Sequence, residues 1–368
     1  MVVAAGGTAG HVIPAIAVAD ELRARGATVS FLGTREKIEA ELVPKAGYEI
    51  EFLKVRGIDR RNPLRAARAG FEAIGAVAAA RRALRRRDAD VVMGGGGYVA
   101  GTAGLAAVLT RTPLVLTEAD SHLGLANRAL ARRARRVCLA FPIAGRDGDR
   151  YELTGRPVPA AVVGADRAAA RERFGIPAGA RCLMVFGGSL GARSINFAAL
   201  EAFAERPRGD FHVLHLSGRR DHEELAARLA AAPYKEGYLL SPFEPDFGSA
   251  LAASDLVLGR SGGSVFELTA AGRPSILVPY PHATGDHQAA NAEWMRAQGA
   301  ATTIADEELD ADRLEAEVEE LFGDPPRLAA MAAAALRIAR PDAAARIADA
   351  VMDAATGRRS HLTPAGGE

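Results

Sequence analysis

The sequence predicts an α/β fold made of two doubly wound parallel sheets, one in each half of the chain. Short apolar runs alternate with helix-like stretches along both halves, a pattern typical of buried strands in parallel sheets that helices cover on both faces. A segment with two prolines and a glycine, Thr154–Pro159, separates the halves. The 368 residues are enough for two such domains.

The first half is predicted to hold six strands and four helices. The strands are expected at 2–5, 28–32, 49–54, 91–93, 113–117 and 136–141, and the helices near 14–25, 63–87, 101–110 and 123–133. Pro14 is expected to open the first helix, where its missing N–H group is harmless.

The second half repeats this pattern. Its strands are expected at 182–186, 211–216, 238–241, 255–258 and 275–279, and its helices near 191–205, 221–231, 264–271, 287–298, 308–322, 326–338 and 341–356. We expect domains over 1–157 and 158–338, a helix over 339–357 that packs back on the first domain, and a polar tail over 358–368. Ligands bind beyond the carboxyl ends of such strands, so two facing domains suit a two-substrate transferase or an isomerase.

Composition excludes several classes of protein. Nearly half the residues are apolar, as in globular chains, and no apolar run reaches the roughly 18–20 residues that span a bilayer. Val2–Ala5 lacks the basic segment that precedes a signal peptide core, so we expect a cytoplasmic protein. Cys138 and Cys182 lie apart in strand-like runs, which excludes a disulfide framework and gives no clustered metal ligands.

The formal charge of +1 is unevenly distributed along the chain. Residues 1–150 hold 24 Lys/Arg and 15 Asp/Glu, whereas the remainder holds 22 and 30, so the charges are +9 and −8. A basic N-terminal part indicates an anionic partner, which can be nucleic acid, anionic lipid or a phosphorylated substrate.

Glycine loops follow strand-like runs in the first half. Gly6–His11 matches neither the dinucleotide fingerprint nor the P-loop, and it is either a tight turn or a place where backbone approaches an anion at a helix N-terminus. The second loop has four glycines, which cost backbone entropy, and close approach to a ligand is the favoured explanation. Its residues are Gly94, Gly95, Gly96, Gly97 and Tyr98.

Two more glycine loops occur in the second half. Gly187–Arg193 follows the first strand there, and Arg260–Ser264 precedes a helix expected to begin near Val265. The second of these loops combines two hydroxyls, a glycine turn and a helix start, which suits a diphosphate without a metal. Glu267, on the first turn of that helix, either complements the helix dipole or accepts the two hydroxyls of a ribose.

Four motifs together carry a family resemblance. GGTAGHVIPA, GGGGY, GGSLGARSIN and RSGGSVFELTAAGRPSILVPYPHATGDHQAANA, in this order and spacing, resemble the MurG family of UDP-GlcNAc:undecaprenyl-diphospho-muramoylpentapeptide N-acetylglucosaminyltransferases, in glycosyltransferase family 28. The resemblance runs from Val2 to about Ala355. It implies a GT-B fold with two Rossmann-like domains facing a deep cleft, inversion at the anomeric carbon, no metal or cofactor, and lipid II as product.

The resemblance also implies site residues, position by position. The donor contacts in the second domain are Ser189, Ser261, Gly262, Gly263 and Ser264 for the diphosphate, Glu267 for the ribose, Glu244 for the uracil, mainly through its backbone, and Gln288 with Asn291 for the sugar. The donor contacts in the first domain are Thr8, Ala9, Gly10, Asp120 and Arg156. The loop from Gly94 to Tyr98 is expected near the acceptor diphosphate.

The sequence departs from the family pattern at several positions. The usual His-Glu-Gln-Asn stretch is Thr117–Asp120 here, so a sugar-contacting asparagine becomes Asp120. Pro159 replaces an arginine expected after Gly-x-Pro-Val, although Arg156 lies close. Ala9 stands where glycine is usual, and the serine-glycine loop is one residue shorter. These differences weaken the assignment of the individual contacts and, slightly, that of the sugar, but not the predicted fold.

A glycosyl transfer needs a base for the acceptor hydroxyl and positive dipoles for the leaving diphosphate. His11 is the candidate base because its unperturbed pKa lies near neutrality, and the alternative is that it only orients the loop or a substrate. His287, Glu118 and Asp120 are the competing candidates. The histidines interpreted as structural or surface residues are His122, His212, His215 and His222.

A basic, amphipathic segment precedes the second glycine loop. Residues 54–87 hold eleven Lys/Arg against Asp59 and Glu72, with apolar residues at helix-like spacing. A helix packed on its own sheet and a nucleic-acid site are the alternatives, but the sequence has no nucleic-acid motif or aromatic platform. We expect contact with an anionic membrane surface. The predicted membrane residues are Leu64, Phe71, Ile74, Arg81, Arg82, Arg85 and Arg86.

The sequence therefore predicts a peripheral N-acetylglucosaminyltransferase on the cytoplasmic face of the cell membrane. Its expected substrates are UDP-GlcNAc and the lipid-linked acceptor lipid I, other cell-wall synthesis proteins are candidate partners, and nucleic acid is not a partner. Three alternatives stay open: a UDP-GlcNAc 2-epimerase, a GT-B transferase with another lipid-linked acceptor, and a membrane-recruited scaffold that keeps the fold without turnover.

Overall fold

The computed structural model describes residues 1–55, 63–188 and 190–362, with the backbone alone at 9, 63–73, 284 and 358–362. The chain divides into two compact units, Met1–Val158 with Arg340–Glu368, and Pro159–Ala339. Each unit is a parallel sheet flanked by helices, which confirms the predicted doubly wound α/β fold. Labels below follow chain order.

The first unit contains seven parallel strands within the described ranges. They are β1 Val2–Ala4, β2 Ser30–Gly33, β3 Glu49–Phe52, β4 Val92–Gly94, β5 Leu114–Glu118, β6 Arg136–Leu139 and β7 Tyr151–Leu153. Their order across the sheet is β3-β2-β1-β4-β5-β6-β7. The helices are α1 Ala9–Ala24, α2 Glu39–Lys45, α3 Pro63–Arg86, α4 Gly97–Thr110, α5 Leu125–Leu130 and, from the end of the chain, α15 Ala343–Leu362.

The central strand β1 shows why these residues form a sheet covered on both faces. Successive side chains of a strand point to opposite faces. Val2 and Ala4 pack in one buried cluster with Val99 of α4, whereas Val3 packs in a second cluster with Ile347 of α15. A strand that is buried on both faces has a continuous apolar sequence, and β1 has one.

The second unit is built in the same way, with six parallel strands among the described residues. They are β8 Arg181–Phe186, β9 Phe211–Leu216, β10 Tyr238–Ser241, β11 Leu256–Gly259, β12 Ser275–Leu277 and β13 Ala301–Thr303, in the order β10-β9-β8-β11-β12-β13. The helices are α6 Ala160–Val163, α7 Arg167–Arg173, α8 Arg193–Leu200, α9 His222–Ala231, α10 Phe247–Ala253, α11 Val265–Ala270, α12 His287–Ala297, α13 Ala311–Gly323 and α14 Pro325–Ile338.

The start of α1 differs from the prediction. Pro14 does not open this helix but lies inside it, because α1 begins at Ala9. A proline at this position leaves the carbonyl four residues earlier, that of Gly10, without its helical N–H donor. Arg156 Nη2 donates to that carbonyl oxygen at 2.6 Å.

The strands at one edge of each sheet were not predicted. β7 and β13 have three residues each and close their sheets at the end of the strand order. All three residues of β7 and two of β13 are only half-buried, so neither segment has the continuous apolar run that marks a central strand. The short helices α2, α6, α7 and α10 were also missed.

Membrane-spanning helices are not found in the part of the chain that the structure describes. None of its helices combines the length and the apolar composition that a bilayer crossing requires.

A buried polar network crosses the core of the second unit. His215 of β9 is fully buried, with Nδ1 2.8 Å from Tyr238 Oη and Nε2 3.1 Å from Asn196 Oδ1. Asn196 Nδ2 donates to the Ser217 carbonyl oxygen at 2.9 Å and to Asp221 Oδ2 at 3.0 Å. Burial lowers the pKa of His215 to about 3, so the imidazole is neutral in the folded protein.

We predict that the second unit loses stability as the pH falls below about 6.5, the ordinary pKa of histidine. The unfolded chain takes up a proton on His215 in this range, whereas the folded chain does so only near pH 3. The depressed pKa therefore lowers the free energy of unfolding by up to about 1.4 kcal/mol per pH unit. Urea unfolding of His215→Gln between pH 7 and pH 4 should show a shallower pH dependence than wild type.

The control for this measurement is His122→Gln, which removes an exposed histidine and should keep the wild-type pH dependence. Equal slopes for His215→Gln and wild type would contradict the assignment.

Candidate functional site

Each sheet has one position where neighbouring strands are not consecutive in the chain. These positions lie between β1 and β4 in the first unit and between β8 and β11 in the second. In open parallel sheets ligands bind at such switch points, outside the carboxyl ends of the strands. The four glycine loops follow these four strands, so the structure brings the predicted loops together in two pairs.

The two loops of the first unit touch each other directly. A Cβ atom on Gly96 would lie 2.6 Å from His11 Cδ2, and one on Gly97 would lie 2.7 Å from the Gly6 carbonyl oxygen. Both residues also have positive φ, +100° and +74°. From the sequence, approach to a ligand explains the run of glycines, but the structure gives a reason inside the protein: the first loop already occupies the space of their side chains.

Glu39 holds the first loop from behind and was missed by the sequence analysis. Its carboxylate is fully buried at the start of α2. Oε2 accepts from the Gly7 N–H at 3.1 Å, and Oε1 accepts from the backbone and the hydroxyl of Thr34 at 3.0 and 2.6 Å. These bonds satisfy the carboxylate and tie the loop to the end of β2. A glutamate in a polar helix start gives no sign of this role in the sequence.

His11 stands on the first turn of α1, with Nδ1 3.3 Å from Thr8 Oγ1. Burial and, second, the positive charge of Arg156 lower the pKa of His11, whereas Asp120 and a hydrogen bond to the Gly6 backbone act in the opposite direction. The net shift is downward, so the imidazole is neutral at pH 7.

Glu118 is buried at the end of β5 and braces the loop that follows it. Its Oε2 accepts from the Gly124 N–H at 2.8 Å and from Asn127 Nδ2 at 2.9 Å, and Oε1 accepts from the Asp120 N–H at 3.2 Å. Burial raises the pKa of this carboxyl group despite these three donors. Through these three hydrogen bonds Glu118 stabilises the conformation of the loop.

In the second unit, the loop after β11 is hydrogen-bonded to the start of α12. Ser261 Oγ donates to the Gln288 carbonyl oxygen at 2.8 Å, and Asn291 Nδ2 donates to the Ser261 carbonyl oxygen at 2.9 Å. Gln288 Oε1 accepts from the Tyr280 N–H at 3.0 Å. Hydrogen bonds thus connect three of the predicted residues to one another: Ser261, Gln288 and Asn291. Asn291 Oδ1 is buried without a partner among the described residues.

Arg260, the first residue of this loop, has no role of its own in the sequence-based prediction. Its guanidinium is mostly buried and donates to the carbonyl oxygens of Val278 and Pro279 at 3.1 and 3.2 Å and to Ser194 Oγ at 3.0 Å. It also pairs with Asp306 at 2.6 Å. Arg260 therefore anchors the loop to the end of β12.

The remaining predicted residues of the second unit are placed as follows. Glu267 is half-buried on the first turn of α11, and Ser264 is the residue just before this helix. Glu244 Oε1 accepts from Arg173 Nη2 and from the Asp246 N–H, both at 2.7 Å, so its carboxylate is already engaged. Ser189 lies outside the described residues, as do the side chains of Ala9, Leu64 and Phe71.

The described residues contain no group of three or more His, Cys, Asp or Glu side chains that could hold a metal ion.

The chain is similar to known proteins over nearly its whole length. The glycosyltransferase family 28 N-terminal domain matches residues 1–139, and the family 28 C-terminal domain matches residues 182–347. The UDP-N-acetylglucosamine--N-acetylmuramyl-(pentapeptide) pyrophosphoryl-undecaprenol N-acetylglucosamine transferase of Halorhodospira halophila is 42% identical over 356 residues, which are 96% of this chain and 98% of that protein.

Solved structures agree with this match. The crystal structure of MurG from Acinetobacter baumannii has a TM-score of 0.78 at 30% identity and covers 96% of this chain and 99% of its own, which confirms the GT-B fold. UDP-GlcNAc 2-epimerase from Neisseria meningitidis has a TM-score of 0.64 at 14% identity, with coverage of 96% and 98%. At that identity the second similarity shows a shared fold alone.

We predict that Gly96→Ala displaces the His11 ring and destabilises the first unit. An L-residue with the backbone angles of Gly96, φ 100° and ψ 169°, costs about 1–3 kcal/mol, and the clash with the ring adds about 1–3 kcal/mol. Urea unfolding measures the loss of stability, and NMR of the His11 ring reports its displacement.

Gly26→Ala is the matched control, because Gly26 also has a positive φ, +83°, but a Cβ there would meet no described atom within 4 Å. Gly26→Ala should lose only the part of the stability that comes from the strained backbone. If the two variants lose equal stability and leave the His11 signals unchanged, the proposed contact is wrong.

Proposed function

The chain belongs to glycosyltransferase family 28, and on that premise we propose that it transfers N-acetylglucosamine from UDP-GlcNAc to N-acetylmuramyl-(pentapeptide) pyrophosphoryl-undecaprenol, lipid I. The observation that carries this proposal is the match, over nearly its full length, to relatives that bear this activity in their name. The product is lipid II, so the enzyme serves peptidoglycan synthesis and, through it, cell shape and division.

The donor binds to the second unit in this proposal. Backbone N–H groups of the loop from Ser261 to Ser264 hold the diphosphate, in the way that glycine turns bind anions, and Ser189 contributes from the loop after β8. Glu267 accepts the ribose hydroxyls, and Glu244 meets the uracil through its backbone. Gln288 and Asn291 form the sugar side of the site, which is supported by their hydrogen bonds to the same loop.

The acceptor binds to the first unit, where two long helices begin side by side. α1 has 16 residues and α4 has 14, and the N–H groups of their first turns have no acceptor within the helix. Together with the two helix dipoles these groups favour an anion. We place the acceptor diphosphate at Gly94–Tyr98, and we assign Thr8, Ala9 and Gly10 to contacts with the donor.

His11 acts as the base. Its neutral imidazole takes the proton of the acceptor hydroxyl while that oxygen bonds to the anomeric carbon and the bond from this carbon to the UDP oxygen breaks, with inversion. The negative charge of Asp120, which raises the pKa of His11, stabilises the imidazolium that forms. Asp120 is the second candidate base, and Glu118 is the weakest because its oxygens already accept three bonds.

The first unit also has a surface that suits a membrane. Apolar side chains are exposed on three helices that pack side by side: Ile74 on α3, Leu105 and Leu109 on α4, and Leu125 on α5. Ile74 is the most exposed of these four side chains, at 69%. Apolar residues presented on neighbouring helices favour insertion at a lipid surface.

Exposed basic residues lie on the same helices or directly after them. Arg82 and Arg85 of α3, Arg111 after α4 and Arg128 of α5 are exposed, and each contributes about 1 kcal/mol near anionic lipid. Arg81 is half-buried, and Arg86 pairs with Glu51 at 2.6 Å, so these two predicted residues contribute less. We propose that this face docks on the anionic inner leaflet that carries the acceptor.

The test of the function is transfer of radiolabelled GlcNAc from UDP-GlcNAc to a lipid I analogue. We expect a lipid II analogue as the product, formed also in EDTA because helix starts and loop amides take the place of a metal. Formation of UDP-ManNAc from UDP-GlcNAc without acceptor would indicate an epimerase. Binding of UDP-GlcNAc without any transfer would indicate a scaffold.

We predict that Glu267→Ala weakens UDP-GlcNAc binding about 10–150-fold, because hydrogen bonds to a charged group contribute about 1.5–3 kcal/mol. Isothermal titration calorimetry measures this affinity. Glu293→Ala, which removes an exposed glutamate of α12 that pairs with Arg296, is the control and should bind the donor as wild type does. An unchanged affinity in Glu267→Ala would remove Glu267 from the ribose site.

We predict that Arg82→Glu/Arg85→Glu and Leu105→Ser/Leu109→Ser each release the protein from vesicles with 30% anionic phospholipid. The charge reversals should weaken binding about 30-fold or more, from the loss of about 1 kcal/mol at each site, and added salt should weaken wild-type binding. Vesicle sedimentation measures binding, and transfer to a short-chain soluble acceptor should persist.

Arg35→Glu/Lys37→Glu is the control for the charge reversals, since it changes two exposed residues before α2 by the same charge. Vesicle binding that falls equally in the control, or in neither variant, would show that α3, α4 and α5 do not form the membrane contact.

A further inference from the structure

We propose that Arg156 is a positioning residue for His11: its guanidinium replaces the backbone donor that Pro14 lacks and so holds the first turn of α1 in place. The inference rests on the proposed function in assigning the base to His11. It differs from the expectation that Arg156 binds the donor, since here Arg156 acts on the protein itself.

The geometry begins with the proline. In an α-helix each N–H group donates to the carbonyl four residues earlier, so a residue with an N–H at position 14 would satisfy Gly10. Pro14 has none, so the Gly10 carbonyl lacks its usual helical donor. Arg156 Nη2 lies 2.6 Å from the Gly10 oxygen. A charged donor makes a stronger bond than a neutral amide does.

Gly10, whose carbonyl accepts the bond from Arg156, is the neighbour of the candidate base in the chain. Gly10 directly precedes His11, and a Cβ on Gly10 would lie 3.3 Å from Arg156 Nη2, so the guanidinium lies close against this turn. The imidazole ring of His11 also lies against the backbone of Gly96. The arginine and the second glycine loop therefore restrict the same turn and its imidazole.

Charge supports the same assignment. The positive charge of Arg156 lowers the pKa of His11, after the larger effect of burial, and so helps to keep the ring able to accept a proton. Asp120 opposes this effect. The other titratable groups that line the cavity beside His11 are Glu118 and Cys138, and Tyr98 follows the glycines that touch the ring.

The experiment is a double-mutant cycle between Arg156 and Pro14. Arg156→Met should lower the melting temperature by about 2–6 °C in the wild-type background. In the Pro14→Ala background the restored N–H group binds the Gly10 carbonyl, so the same change should have a much smaller effect. Arg150→Met is the control, since Arg150 also donates to a backbone carbonyl, that of Arg132, at 3.0 Å, and its effect should be the same in both backgrounds.

Kinetics and NMR separate positioning from donor binding. Arg156→Met should lower kcat about 10–100-fold with little change in KM for UDP-GlcNAc, and Arg156→Lys should recover part of the loss. The pKa of His11, followed by NMR of the labelled ring, should rise in Arg156→Met, and the acid limb of the rate profile should move to higher pH with it.

Two results would overturn the proposal. One is an equal loss of thermal stability from Arg156→Met in both backgrounds, and the other is a loss of donor affinity with kcat and the pKa of His11 unchanged. The melting and NMR measurements need no turnover, so they test the positioning of His11 even if the transfer assay fails.

Discussion

The backbone contact between the first two glycine loops is the constraint on which the site of the first unit depends. Gly96 and Gly97 can approach His11 and the Gly6 carbonyl only because they have no side chains. Such a contact contributes little apolar burial, so hydrogen bonds from outside must hold the loops. Glu39 does this at the Gly7 N–H and Arg156 at the Gly10 carbonyl. His11 is thereby held through the backbone of its own loop.

The central strands could be predicted from the sequence because both of their faces are buried. β9 was predicted with the observed bounds, and β8 lacked one residue. Edge strands such as β7 and β13 are short and partly exposed, and register with a neighbour rather than an apolar pattern defines them. Pro14 was misplaced for a related reason: the donor that allows it inside α1 comes from Arg156, 146 residues away from Gly10.

The loops of the candidate site could be predicted, but not the contacts that hold them. Gly6–His11 and the run from Gly94 to Tyr98 are visible as motifs, whereas their mutual packing requires the order of the strands. Glu39 forms its bonds to Thr34 and Gly7 across 5 and 32 residues, and nothing in a helix start distinguishes a carboxylate that will be buried. On α4, nearly every residue is small or apolar, so the pattern could not show that Leu105 and Leu109 face outward.

The packing of α15 on α1 has a consequence for how the protein is made. Ile347 and Val351 of α15 share a buried cluster with Val12 and Val18 of α1, and Arg25 pairs with Asp349. The first unit therefore needs a helix that the ribosome synthesises only after Pro159–Ala339. At about 5–20 residues per second, α1, which ends at Ala24, waits roughly fifteen to sixty seconds for α15, which begins at Ala343, with an apolar face uncovered. During that interval the whole of the second unit is synthesised, so all residues of its sheet are available before the first unit has its last helix.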